Sequence, residues 1–400
     1  MSSPGAEFPA TERHELQVLD EHLRTVPPQW LKPSTDDWTS VPAIGGVAFF
    51  NNIVTPYTNR LFNTAVEAGV KLTVVSAAKD EPNRAWGAVT RNGYEHIVLR
   101  GYRVRLGAGR FAYFNRGVFR TLNLLRPRLL VINGLYPTML VAALWAMLTR
   151  TRLMLSIDGW AETMPDSMYH RVVRPFVLRH CARVITPGLK GRDYFRAQGI
   201  GYDRIARVPL VPAWDAPSRP TPFTERPFDL VWCGHLNNDV KNAGFLVSLC
   251  RELKPTMPGL RLRIVGQGPA QAETLAALRA AGVDVMHDAA LPWDRMAEVF
   301  STAKLLVFPS LWEPWGLVCN EAMQCGTPAL VSPHVGAAGD LVRTGETGAV
   351  LPLDPKAWAQ EVRRLLGDAE GWQRLSDAAR AEMARRSLSA SVAAFVEALE

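Results

Sequence analysis

The sequence has no CxxC pair, no low-complexity tract, no internal repeat and no unbroken apolar run long enough to span a bilayer. Each absence removes a class of protein. The five cysteines, Cys181, Cys233, Cys250, Cys319 and Cys325, are scattered. That argues against a disulfide framework or a zinc site and for a reducing compartment. They read as buried thiols rather than nucleophiles. The longest apolar region, Leu129 to Leu148, is broken by Asn133, Gly134 and Pro137. It reads as a strand, a turn and a helix rather than a membrane span. The opening residues, MSSPGAEFPATERHELQVLD, lack a basic-then-apolar signal pattern. The expected home is the cytoplasm, with no part integral to a membrane.

What is present is ordinary in bulk and uneven in detail. The chain has 400 residues, 48% hydrophobic and 21% charged, which suits two or three packed domains. The net charge is +7, which favours anionic partners or simply reflects an arginine-rich composition. Residues 1–40 are polar and interrupted, with one helical pattern at Leu16, Leu19 and Leu23, and read as an extension that packs on the main body. From Gly46 onward, apolar strand-like runs alternate with helical patterns. Val47–Phe50, Lys71–Ser76, Leu129–Ile132, Arg152–Ile157 and Arg183–Thr186 read as buried strands, with helices over Arg60–Ala68, Val118–Leu125 and Asp193–Gln198 between them. Such alternation predicts a doubly wound α/β domain with a parallel sheet. Six prolines between Pro209 and Pro227 mark a linker. A second series follows, with strands at Asp229–Cys233, Arg261–Val265, Val283–Met286, Leu305–Phe308 and Ala329–Ser332. The predicted organisation is an extension over 1–40, a first Rossmann-like domain over 41–208, a linker over 209–227 and a second Rossmann-like domain over 228–385. A helix over 386–400 is expected to pack back on the first domain. The two domains should face a cleft at the carboxyl ends of their strands, where such sheets bind ligands.

The segment Leu305–Leu353 carries the densest chemistry. Glu313 and Glu321 stand eight positions apart across a strand, a loop and a helix start near Trp315–Gly316. Free N–H groups at that helix end, near Gly316, Leu317 and Val318, suit an anion. Glu321 should lie roughly 6 Å further along the axis. An anion site flanked by acceptors suits a phosphorylated sugar. Lys241 and His235 follow the first strand of the second domain, just after Gly234. Lys241 reads as a phosphate ligand or as a solvated surface lysine, and His235 as a hydrogen-bond donor beside it. Gly266 and Gly268 in IVGQGP read as a close approach to a nucleotide or as a plain tight turn; Gln271 replaces the third glycine of a dinucleotide fingerprint. Asp158 ends a first-domain strand and reads as a base or orienting acceptor for a hydroxyl, or as an Asx turn with Gly159. The loop Asn51–Asn59 faces the same cleft and offers Asn51, Asn52 and Thr55. Gly45–Gly46 precedes its strand and is no phosphate loop. Arg100–Arg128 carries eight arginines among aromatics. It reads as a nucleic-acid surface, as contact with an anionic membrane or as a solvated helix face.

The block EPWGLVCNEAM with Glu313-x7-Glu321, followed by CGTPALVS and GAAGDLV, resembles the retaining glycosyltransferases of the large family 4 group, which have the GT-B fold. The Gly234–Lys241 segment, IVGQGP and RVITPGLKGRDYFRAQGI add to the likeness, which spans roughly residues 46 to 385. The resemblance implies transfer of a sugar from a nucleotide diphosphate sugar, UDP- or GDP-linked, to a hydroxyl with retention. It assigns the donor sugar to Glu313, the ribose hydroxyls to Glu321, and the diphosphate to Lys241 and the N–H groups near Gly316 to Val318. It departs at His235, where the family usually has arginine, and at Asp158, where it often has histidine. NNIVTPYTN also replaces the usual glycine-rich first loop. No DxD pair is present, so no metal and no cofactor are expected. The expected partners are the donor and a sugar or lipid-linked acceptor, as in bacterial polysaccharide synthesis, with peripheral contact at the anionic inner face of the membrane and no nucleic acid. A non-catalytic nucleotide-sugar-binding scaffold and a GT-B epimerase are the competing readings.

Overall fold

The computed structural model describes residues 45–81, 93–105 and 111–400. The extension over 1–40, with its Leu16, Leu19 and Leu23 pattern, lies outside them. The first sheet is built from β1 (Val47–Asn51), β2 (Leu72–Ser76), β3 (Glu95–Val98), β6 (Leu129–Asn133), β7 (Arg152–Ser156), β8 (Cys181–Thr186) and β9 (Ile205–Arg207), with a separate hairpin of β4 (Gly101–Arg105) and β5 (Phe111–Asn115). The order is β3-β2-β1-β6-β7-β8-β9, parallel throughout. The second sheet contains β10 (Phe228–Cys233), β11 (Arg261–Val265), β12 (Asp284–Asp288), β13 (Ala303–Phe308), β14 (Ala329–Val331) and β15 (Gly348–Val350). Its order is β12-β11-β10-β13-β14-β15, also parallel. Strands such as Leu129–Ile132 and Leu305–Phe308 are buried along their whole length. Apolar helices on both faces explain that continuity.

Both sheets reverse their winding direction once, between β1 and β6 and between β10 and β13. Crevices open at such switch points, because the loops there diverge to opposite faces. The loops that carry Asn52, His235 and Glu313 all leave strands at these positions.

Three edge strands escape the sequence pattern. β3 (EHIV) is half polar, while β9 and β15 have three residues each. The stretch Arg100–Arg128 is not one helix face. Its first part is the β4–β5 hairpin, held by stacking of Tyr102 on Phe114 at 5.3 Å, and only Val118–Leu125 is helical. The helix expected over Asp193–Gln198 begins earlier, at Leu189. The proline-rich stretch before β10 is irregular but packed. Trp214 is buried, and the buried Arg226 donates to the carbonyls of Thr221, Ala303 and Cys325. Burial pulls the Arg226 guanidinium down to about 10. The last helix, Leu388–Leu399, lies against the first domain, with Phe395 6.2 Å from both Phe49 and Phe62.

Side chains join the domains on one side of the cleft. Asp340 accepts from the backbone N–H of Leu189 at 2.7 Å, at the start of the helix Leu189–Ala197, and from Arg207 at 3.2 Å. Arg386 reaches the same carboxylate at 2.7 Å. Lys190 lies 3.9 Å over the ring of Trp160 and donates to the carbonyl of Val335 at 2.9 Å. Loss of water around Lys190 lowers its affinity for a proton.

Candidate functional site

The loop after β13 is pinned from both sides. Glu313 pairs its backbone with Val335 in an isolated bridge, and its N–H donates to His334 at 3.1 Å. Its carbonyl accepts from Gly336 and from the indole N–H of the first-domain Trp160, both at 3.1 Å. Gly316 takes φ 96° as the residue before the helix Leu317–Gln324, a left-handed turn that suits glycine. The helix therefore starts one to two residues later than its pattern suggests, and Leu317 and Val318 of its first turn line the cleft described below.

The loop after β10 is organised by Asn237. Its side-chain oxygen accepts from the N–H groups of Val240 at 3.1 Å and Lys241 at 2.8 Å. This turn sends Lys241 back across β13, 4.5 Å over the Phe308 ring, and its ammonium pairs with the Glu313 carboxylate. The two side chains keep only 18% and 17% of their surface. Asn237 left no motif-level signal, although an asparagine four residues before a lysine at a strand exit is a typical turn former.

A cleft of about 650 Å³ runs between the domains. On the second-domain side it is lined by Gly234, His235, Lys241 and Gly266 and, from the Glu313 loop onward, by Glu313, Gly316, Leu317, Val318 and Glu321. Asn52 and Asp158 line it from the first domain. Burial pushes the Glu321 carboxyl up to about 8, so it holds its proton at neutral pH. The thiols are inert for the same reason. Burial pushes Cys181, Cys233, Cys250 and Cys325 up to about 12 and Cys319 higher still. Among the described residues no group of three or more His, Cys, Asp or Glu could hold a metal ion.

Four anticipated residues do other work. Thr55 is buried and caps the helix Pro56–Glu67, exchanging hydrogen bonds with Thr58 in a capping box, so its hydroxyl is spent on the backbone. Asn51 is buried too; its side-chain oxygen accepts from its neighbour's N–H and from Asn133, both at 2.9 Å, which ties the ends of β1 and β6 together. Gly266 and Gly268 permit a close approach, but to this protein's own backbone. A Cβ on either would overlap a carbonyl oxygen, of Gly234 and Leu236 respectively. Gly268 does not line the cleft. The first-domain wall also holds the aromatic residues Tyr57, Phe111, Tyr113 and Tyr136; Phe111 and Tyr113 belong to the basic, aromatic stretch and Tyr57 to the Asn51–Asn59 loop, while Tyr136 carried no signal in the sequence. Tyr113 donates to Glu81. Tyr57 stands in the first turn of the helix Pro56–Glu67, Phe111 and Tyr113 on β5 and Tyr136 before the helix Pro137–Thr149, so their shared wall becomes visible only when these elements converge.

Two family models match the chain: a glycosyl transferase 4-like domain over residues 54–210 and glycosyl transferases group 1 over residues 227–368. Together they account for well over half of its length. The chain belongs to the glycosyl transferases group 1. It is 34% identical over 171 residues to a glycogen synthase of Mycobacterium tuberculosis and 36% identical over 140 residues to a D-inositol 3-phosphate glycosyltransferase of Acidothermus cellulolyticus. These matches cover 40% and 32% of this chain, and 40% and 31% of those proteins. In fold it is similar to Anabaena Alr3699/HepE, solved with UDP and glucose, at TM-score 0.68, 15% identity and coverage of 88% of this chain and 98% of that one. A sucrose-phosphate synthase from Thermosynechococcus elongatus gives TM-score 0.65 at 18% identity with the same coverage. The two parallel-sheet domains are thus the GT-B fold.

Proposed function

We propose that the protein is a retaining glycosyltransferase that moves a sugar from a nucleotide diphosphate sugar, UDP- or GDP-linked, to a hydroxyl acceptor. The observation that carries this reading is convergence. Lys241, Glu313, Glu321 and the start of the helix Leu317–Gln324 line one cleft at the switch point of a GT-B fold. A nucleotide sugar needs that set in that order: acceptors for ribose, positive charge for the diphosphate, and an acceptor for the sugar.

In this reading Glu321 faces the ribose hydroxyls, and its protonated carboxyl can donate as well as accept. The N–H groups near Leu317 and Val318 and the ammonium of Lys241 meet the diphosphate. Lys241 is paired with Glu313. An incoming diphosphate would draw the ammonium away and free Glu313 for the sugar. The chemical step is a same-face displacement. The leaving diphosphate oxygen takes up the acceptor hydroxyl's proton while Lys241 and the helix N–H groups stabilise the departing charge. Asp158, across the cleft, orients the acceptor. These residues supply the positive charge themselves, so neither metal nor cofactor is required. Lipid-linked saccharides are the acceptor class that best fits the basic first domain.

Glu313→Ala and Lys241→Ala should each lower kcat with the cognate donor by about 10²–10³-fold. Thermal-shift screening across nucleoside diphosphates and nucleotide sugars would identify that donor, since a specific ligand at a hundredfold excess over Kd stabilises a fold by about 2.7 kcal/mol. Near-normal turnover in either variant, or a product of inverted anomeric configuration by NMR, would refute the mechanism.

A further inference from the structure

Thirteen large apolar side chains are exposed among the described residues, and nine of them lie on three helices of the first domain. Phe119 and Leu124 project from Val118–Leu125. Val141, Leu144 and Leu148 project from Pro137–Thr149, at a spacing of three and four that makes a single stripe. Met168, Tyr169, Val172 and Phe176 project from Met168–His180. Leu148 and Val172 are each 67% exposed. All three helices cover the same face of the first sheet, since their inner residues share one core cluster with Leu130, Leu155 and Val184. The first two are also joined by the Trp145 indole N–H donating to Asn123 at 2.8 Å. The apolar residues therefore all face outward on one side of the first domain, more than scattered exposure accounts for.

The charge on these three helices has one sign. None of the three helices contains Asp or Glu, and residues 96–157 contain ten arginines and no acid at all. Exposed Arg116, Arg126, Arg150 and Arg179 stand at the ends of these helices. Arg171 is the member paired with a neighbouring acid, Asp166, at 2.8 Å. The helix Pro137–Thr149 has no charged residue. No helix among the described residues is long and apolar enough to cross a membrane.

We propose that this helix face seats the protein on an anionic lipid bilayer, with Val141, Leu144 and Leu148 in the headgroup region and the arginines around them on lipid phosphates. A bilayer surface offers the two things the face lacks, apolar cover and negative charge. A second copy of the chain fits worse, because a two-fold contact would set arginine against arginine. No residue of the face lines the cleft, so the proposal stands apart from the reading of the active site.

The test is co-sedimentation of the full chain with vesicles of phosphatidylcholine, with and without phosphatidylglycerol. Binding is expected only with phosphatidylglycerol, and it should weaken more than about tenfold near 1 M salt, where the Debye length is about 3 Å. Leu144→Glu with Leu148→Glu, and separately Arg116→Glu with Arg179→Glu, should each weaken it more than about tenfold with unchanged melting midpoints. The charge-reversal pair keeps the test intact if the leucine pair misfolds. Absence of vesicle binding, equal binding to neutral vesicles or binding indifferent to the arginine changes overturns the proposal. So does concentration-dependent self-association that Leu148→Glu abolishes, which would make the face a contact between copies.

Discussion

Glu313 and Glu321 stand eight positions apart in sequence and meet opposite surroundings. Glu313 faces Lys241 at the mouth of its loop, whereas burial alone acts on Glu321. The sign of the consequence follows from the direction of the shift. The folded state holds the Glu321 proton to about pH 8, while an unfolded chain releases it near its ordinary value of 4.5. Stability from this residue is fully present below that lower value and is lost as pH rises toward 8. Glu321→Gln removes the titration. Its melting midpoint should match the parent near pH 4.5 and exceed it at pH 8.5, by a stability difference on the order of 1–2 kcal/mol given partial solvent access. Parallel melting curves across that range would show that Glu321 is already ionised at neutral pH in the folded protein.

Helix starts show how much local pattern conveys. The capping box at Thr55 and Thr58 decides where the helix Pro56–Glu67 begins. From sequence alone the same threonine also reads as a cleft residue, because a cap and a ligand contact draw on the same residue types. Thr55→Ala should cost about 1 kcal/mol of stability and leave KM for the acceptor unchanged. A raised KM with an unchanged melting midpoint would return Thr55 to the site. The glycines at Gly266 and Gly268 carry a similar ambiguity. A strand ending in Gly-x-Gly signals close approach, but which partner approaches is decided by the neighbouring loop. Edge strands such as β3 and β9 are missed for a related reason: half-covered strands do not need continuous apolar residues, so they leave no run to read.

Across the whole molecule, the relation between the domains rests on few side chains, of which Asp340 has the most partners. Its buried carboxylate joins the start of one first-domain helix, Arg207 from β9 and Arg386 near the chain's last helix. Removing it takes the carboxylate partner from Arg207 and from the Leu189 N–H, and leaves Arg386 paired with Glu382 alone. Asp340→Ala should lower stability by about 3 kcal/mol and raise the radius of gyration seen by small-angle scattering as the cleft widens. An unchanged radius of gyration would assign the interdomain geometry to Lys190 and Trp160 instead. Sequence by itself determined the fold class and named most of the second-domain residues that line the cleft. Both are written in contiguous segments, where strand periodicity, Gly316 and the two glutamates act within a few residues of one another. Tertiary structure alone decided what depends on convergence: the Lys241–Glu313 pair, the aromatic first-domain wall, the diversion of Asn51 and Thr55 to internal bonds and the one-sided basic, apolar helix face. Those features join residues tens to hundreds of positions apart, and only sheet order and helix packing bring them to the same place.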